Sequence, residues 1–157
     1  MDDCPGAQTR PEQTVIHCFD CEFARLHAQL CKIVREVSIE EFYHDSESTA
    51  GAPGQSLMRS AAIVEQTFGG ITANLWDDPF EWTLPETLTT STQILEYLAD
   101  VEATRKRAFA RFVEDSDLLK EIAMPSGNTR PLVELLLKTL VRATHYHGRC
   151  VAALLHR

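Results

Sequence analysis

The residues best equipped for chemistry lie near the end of the chain, in RATHYHGRC, Arg142 to Cys150. His145 and His147 are of the type that ligates divalent metals and moves protons near neutral pH. Their i,i+2 spacing sends them to different faces of a helix, whereas two imidazoles sharing one ion need i and i+4. Lys138, Arg142, His145 and Arg149 follow spacings of four, three and four, so they occupy one helical face. Guanidinium groups withdrawn from water require carboxylate, phosphate or another anion to satisfy their donors. The face therefore reads either as a solvated basic surface with ion pairs to Glu65, Glu102 or Glu134, or as the wall of an anion pocket.

The five cysteines are Cys4, Cys18, Cys21, Cys31 and Cys150. CFDC, Cys18 to Cys21, has a CxxC spacing but no second such pair, and His17 with Cys21 and His27 with Cys31 are i,i+4 pairs. Two donors seldom make a metal site, so thiols packed beside Phe19 are the expectation. An odd count without a signal-peptide pattern points to reduced thiols and a cytoplasmic protein. Cys150 precedes VAALL, a setting for a buried and inert thiol.

Charge narrows the classes of partner. With 15 Lys and Arg against 23 Asp and Glu, the formal net charge is −8 and the pI near 5.2. Such a chain lacks the basic surface that attracts nucleic acid or anionic membrane, so neither is expected as a partner. No segment approaches the roughly 20 apolar residues of a membrane span.

Periodicity predicts an all-α fold. Ile16, Phe19, Phe23, Leu26, Leu30, Ile33 and Val37 form a helical stripe, with Thr14 as its cap. Ser46 to Ser56 reads as a loop, and a second helix starts at Ser56 with Leu57, Ile63, Val64, Phe68 and Ile71 inward. Gly69 and Gly70 in that helix suit a bend or a close helix contact. Asp77 to Glu86 is a connection in which Trp76, Phe80 and Trp82 cover an end of the core. A third helix opens at the TTST run with Ile94, Leu98, Val101, Ala108 and Phe112 on one face and Arg105 inside that stripe. After Met124 to Pro131, the last helix places Val133, Leu136, Leu137, Leu140, Val151 and Leu154 inward. Residues 1–13 are expected to be flexible and 14–157 to form one helical bundle domain.

In that setting LVELLLKTLVRATHYHGRC, Leu132 to Cys150, resembles the last helix of the DinB-like family. The family pattern runs leucine-rich, then His, three residues, His, two residues, His-His-Arg-Gly-Gln. Leu136, Leu137, Thr144, His145 and Gly148 match it, and EVSIEEF, Glu36 to Phe42, is similar to the family's segment at the end of the first helix. The resemblance covers residues 14–156 and implies a DinB-like four-helix bundle.

It also implies where a metal would sit: family members hold nickel or zinc with one histidine of the second helix and two ligands four apart on the fourth. The mapped fourth-helix positions are Arg142 and Tyr146, and an earlier histidine maps to Lys138. Arginine has no acceptor and tyrosine would have to lose a proton of pKa about 10, so neither suits the ion. Only Glu65 offers a donor in the second helix. No metal or other cofactor is therefore expected. The mapping turns the basic face toward the former metal cleft, where Arg142 would centre a pocket for a small anionic ligand. Tyr146 and His145 would hydrogen-bond the ligand, and Lys138, Arg105 and Arg59 would stand nearby. Members often pair, so a homodimer is the expected assembly. Two functions stay open: a metal-free ligand-binding or interaction bundle, or a metal- or thiol-dependent transferase or isomerase using His145 or His147.

Overall fold

The computed structural model describes residues 11–44, 51–79 and 87–155. The described chain is all-α apart from one short hairpin. Four long helices, α1 (Thr14–Glu36), α3 (Pro53–Ala73), α4 (Ser91–Phe109) and α5 (Leu132–Leu155), surround the core, and α2 (Ile39–Tyr43) is a single short turn. Pro11–Gln13, expected to be flexible, forms a 3-10 turn whose Gln13 side chain donates to the Val113 carbonyl at 2.6 Å. Phe80 and Trp82 lie outside the described residues.

Helix ends follow local chemistry with one exception. The hydroxyls of Ser38 and Thr90 close reciprocal caps with Glu41 and Gln93, which start α2 and α4. Helix α3 begins at Pro53, three positions before the expected Ser56, because proline suits a first helical turn. Thr14 does not cap α1 as expected. The free N–H groups of Val15 and Ile16 donate instead to the carboxylate of Asp115, a hundred residues away, at 2.9 to 3.1 Å.

Side-chain pairs give the helix directions. Ser60 meets Ala143 and Thr67 meets Thr139, so α3 and α5 are antiparallel. Glu65 meets Tyr97 and Thr72 meets Arg111, so α3 and α4 are parallel. Asp20 and Phe23 meet Arg105 and Phe109, and the small cavity between α1 and α4 brings Leu26 and Leu30 to Leu98 and Val101. These two helices are antiparallel, and the order is up, down, down, up. Returning from the end of α3 to the start of α4 requires a long connection, which residues 74–90 supply.

Two glycines admit aromatic rings. A Cβ on Gly54 would stand 2.6 Å from the Phe42 ring, and one on Gly70 would stand 2.4 Å from Trp76. The double glycine thus admits the chain that leaves α3, not a neighbouring helix. Between α4 and α5 the chain forms a 3-10 turn (Asp115–Leu119) and strands β1 (Glu121–Ala123) and β2 (Thr129–Pro131), paired antiparallel with Glu121 opposite Pro131. The sequence shows no alternation long enough to announce so short a hairpin.

Arg105 is 2% exposed and sits in the apolar stripe of α4. Its Nε and Nη2 donate to Glu102 at 2.8 and 2.7 Å, and its Nη1 donates to Asp20 of α1. Burial opposes its charge, but Glu102 and Asp20 more than offset this and raise its pKa. Arg105→Ala strands the largely covered Glu102 carboxylate and should destabilise the fold by about 3 kcal/mol, while Arg105→Met with Glu102→Gln should recover most of that loss. Urea unfolding of the three chains checks this, and equal stability of the single and double variants would defeat it.

Asp117 accepts from Lys120 at 2.6 Å and from the backbone of Val113 and Glu114 at 2.6 and 3.2 Å. These contacts hold its carboxyl at about 2, below the ordinary 3.8. Its contribution is complete above the ordinary value and is lost as pH falls toward 2. Stability should therefore drop more steeply over that window in the parent than in Asp117→Asn, measured as urea midpoints.

Candidate functional site

The core-facing side of α5 is Leu132, Leu135, Leu136, Thr139, Ala143, Cys150 and Ala153. Lys138, Arg142 and Arg149 each stand one residue before a member of that set, about 100° around the helix, and all are exposed, as is His145. Leu137, expected inside, is exposed because it stands one residue after the core-facing Leu136. Small and aliphatic residues fill the core, and the basic residues turn outward.

The residues expected to wall a pocket at Arg142 thus stand on the surface of α5 and do not face its contact with α3. Lys138 donates to Glu134 at 2.6 Å, and Arg142 has no ion-pair partner among the described residues. His145 meets the half-buried Tyr146 ring edge-on at 5.5 Å, with the Arg149 guanidinium 5.8 Å from the same ring. Arg105 is committed to Asp20 and Glu102, and Arg59 pairs with Asp78 at 3.1 Å. Neither is available to complete an anion site at Arg142. His147 is half-buried, and burial lowers its pKa.

The space between α3 and α5, where the family resemblance would put a metal, holds close contacts. Ser60 donates to the Ala143 carbonyl at 2.8 Å, and the Thr67 and Thr139 hydroxyls meet at 2.7 Å. Glu65 turns to α4 instead. Among the described residues no three His, Cys, Asp or Glu side chains gather as a ligand set. The His17 and Cys21 pair meets at 3.4 Å and the His27 and Cys31 pair at 3.5 Å, each as a two-residue contact. Cys18 is exposed rather than packed, and Cys21 is disulfide-bonded, whereas Cys18 and Cys31 are free thiols. Cys21 therefore departs from the expectation of reduced thiols on which a cytoplasmic location rested. No described helix is long and apolar enough to cross a membrane.

A different cleft, of about 320 Å³, opens between α3, α4 and the chain that leaves α3. Asn74, with φ 56°, reverses the chain, and Leu75 donates to the Gly69 carbonyl at 3.2 Å. Trp76 then lies on Gly70, and Gln66 donates to the Trp76 carbonyl at 2.8 Å, which fixes the returning chain as a wall carrying Asp77. Thr104 and Arg107 of α4 complete the opposite wall, with Arg107 donating to the Thr104 hydroxyl at 2.9 Å.

Glu65 lines the inner part of this cleft. Burial pushes its carboxyl above the usual range, the Tyr97 hydroxyl donating at 2.6 Å opposes that, and the Asp100 charge adds to it. A partly desolvated carboxyl of raised pKa can exchange a proton with a ligand. Thr72 and Thr104 donate to the carbonyls of Phe68 and Asp100, so their hydroxyls are engaged. The arrangement offers hydrogen bonding and charge pairing rather than covalent attack. Tyr97, Asp100, Thr104 and Arg107 recur at helical spacing on α4, a polar stripe visible in the sequence, but its proximity to Glu65 depends on the parallel packing of α3 and α4.

Removing the Tyr97 hydroxyl deletes the interaction that stabilises the Glu65 carboxylate. Tyr97→Phe should raise the Glu65 pKa further, as read from its side-chain carboxyl carbon resonance, and a fall would mean that Tyr97 does not hydrogen-bond the carboxylate. Comparison of the chain with protein-family models, curated proteins and solved structures finds no match.

Proposed function

We propose that this chain is a divergent DinB-like four-helix bundle that binds a small zwitterionic molecule, of the amino-acid class, in the cleft between α3 and α4. Support for the family reading comes from the four long helices, from EVSIEEF closing as α2, and from the last-helix residues Leu136, Thr144, His145 and Gly148.

The observation that carries the binding reading is Glu65, a carboxyl held partly out of water at a cleft large enough for a small metabolite. A desolvated carboxyl of raised pKa costs stability at neutral pH, so its presence beside open space favours a ligand role. The cleft is bipolar. Arg107 offers a guanidinium to a carboxylate, and Glu65 with Asp77 offers oxygen acceptors to an ammonium group. The small-anion site thus moves from Arg142 to Arg107, and the ligand gains a cationic end. His145 and His147 have no third donor beside them among the described residues, so the transferase reading is not adopted.

Titration of the isotope-labelled protein with a panel of amino acids, followed by backbone amide resonances, tests the proposal. Shifts should centre on Gln66, Thr72, Thr104 and Arg107. Arg107→Ala should weaken the best binder at least about tenfold by removing a charge-assisted hydrogen bond. Shifts confined to α5, or an affinity indifferent to both Arg107→Ala and Glu65→Gln, would remove the cleft from consideration.

A further inference from the structure

The cleft between α3 and α4 is a trough with its charged groups at opposite ends, and its length selects among zwitterions. Because the two helices are parallel, their residues keep step. Glu65 meets Tyr97 at one end, and seven residues further along each helix Thr72 and Thr104 both line the cleft. Arg111 reaches back to the Thr72 carbonyl at 3.1 Å, which keeps the same order at the far end.

The groups able to hold a ligand's charges sit at these two levels. Arg107 donates to the Thr104 hydroxyl at 2.9 Å, so its guanidinium is held at the Thr104 end. The Tyr97 hydroxyl donates to Glu65 at 2.6 Å and holds that carboxylate at the other. Asp77 belongs to the Glu65 end. The Trp76 carbonyl before it accepts from Gln66, and Asp78 after it pairs with Arg59, nearer the start of α3.

Seven residues of helix rise about 10 Å. Side chains lean toward the start of their helix, and the long Tyr97 side chain leans farther than Thr104, so the carboxylate and guanidinium stand at least about 10 Å apart. An α-amino acid holds its two charges about 3 Å apart, and a hydrogen bond of about 3 Å at each end extends its reach to about 9 Å only when all lie in line. Such a ligand satisfies one end of the trough but not both.

The middle of the trough suits methylenes. A Cβ on Gly69, one turn beyond Glu65, would stand 3.2 Å from the Leu75 carbonyl and 3.9 Å from the Leu75 Cβ, so Leu75 lies over this glycine. Leu75 is 60% exposed although its N–H is bonded to the Gly69 carbonyl. With Gly69 and Ala73 it gives the cleft an apolar stretch. The Thr72 and Thr104 hydroxyls already donate to Phe68 and Asp100, so they have no proton to give a peptide carbonyl at that level. We infer that the ligand is an ω-amino acid with about three or four methylenes between its charges, its ammonium at Glu65 and Asp77, its chain over Leu75 and its carboxylate at Arg107. This inference rests on the zwitterion-binding reading and narrows it.

Calorimetric titration with a pair of isomers tests it. γ-Aminobutyrate and α-aminobutyrate contain the same atoms and differ in the distance between their charges. The γ isomer should bind at least about tenfold tighter. Leu75→Ser should weaken its binding about fivefold by removing the apolar surface under the chain, and should leave thermal stability unchanged because Leu75 is exposed. Glycylglycine, with a similar charge separation but a peptide group in the middle, should bind more weakly than γ-aminobutyrate. Equal or tighter binding of α-aminobutyrate that still depends on Arg107 would overturn the inference and leave the cleft as an amino-acid site. A γ-aminobutyrate affinity indifferent to Leu75→Ser, or tighter binding of glycylglycine, would overturn the methylene span. Failure of all three zwitterions to bind would remove both the inference and the reading beneath it.

Discussion

A cation cannot remain in an apolar stripe unless anions are brought to it, and Arg105 imposes that condition on α1 and α4. Its fork takes both oxygens of Glu102 from its own helix and one oxygen of Asp20 from α1. The guanidinium also lies 5.4 Å from the Phe109 ring, which joins Phe23 and Phe68 in a cluster with centroids 5.1 to 6.1 Å apart. The ion pair thus fixes the rotation of α4 as well as its distance from α1. With Ile94, Leu98, Val101 and Arg105 turned inward, Tyr97, Thr104 and Arg107 fall on the edge shared with α3. The polar wall of the candidate site follows from the placement of a residue that does not belong to it.

Helix α3 shows the complementary constraint. Ser56, Ser60, Ala61, Ala62 and Thr67 are buried, and side chains this small let α5 approach closely. The hydroxyls do not interrupt that approach, because Ser60 finds a carbonyl and Thr67 finds Thr139 across the seam. Close packing there has two consequences. It fills the space where the family resemblance would put a metal, and it gives α5 an inward face of small and aliphatic residues that leaves the Leu137, Val141 and Leu155 side to solvent.

The sequence made the helices legible because each carries a strong apolar period, and it identified Arg105 as an intruder in one of them. Helix rotation was less legible on α5, where Leu135, Leu136, Leu137, Leu140 and Val141 offer several faces of similar hydrophobicity. Leu137 reads as inward from the sequence, about one residue from the observed rotation, and it is the family resemblance that turns Arg142 toward a metal cleft. Thr14 was a reasonable cap by type, but the acceptor came from Asp115, a partner no local rule could supply. Glu65 and the polar stripe of α4 were both visible as residues. Their meeting was not, because it depends on a parallel helix pair and on a returning chain anchored by Trp76 on Gly70.

The cleft and the outer face of α5 lie on different sides of the molecule. The cleft belongs to α3 and α4, whereas α5 packs on α3 and α1. The most direct route from a ligand to α5 runs through α3, since the residues holding the returning chain, Gln66, Gly69 and Gly70, flank the Thr67 contact with Thr139. Coupling between sites requires an element with two arrangements of different energy. The double-glycine end of α3 is the weakest helix in intrinsic propensity along that path. A shift of α3 would therefore begin there, because the α1 and α4 pair is held by a buried charge and the α3 and α5 pair by close packing.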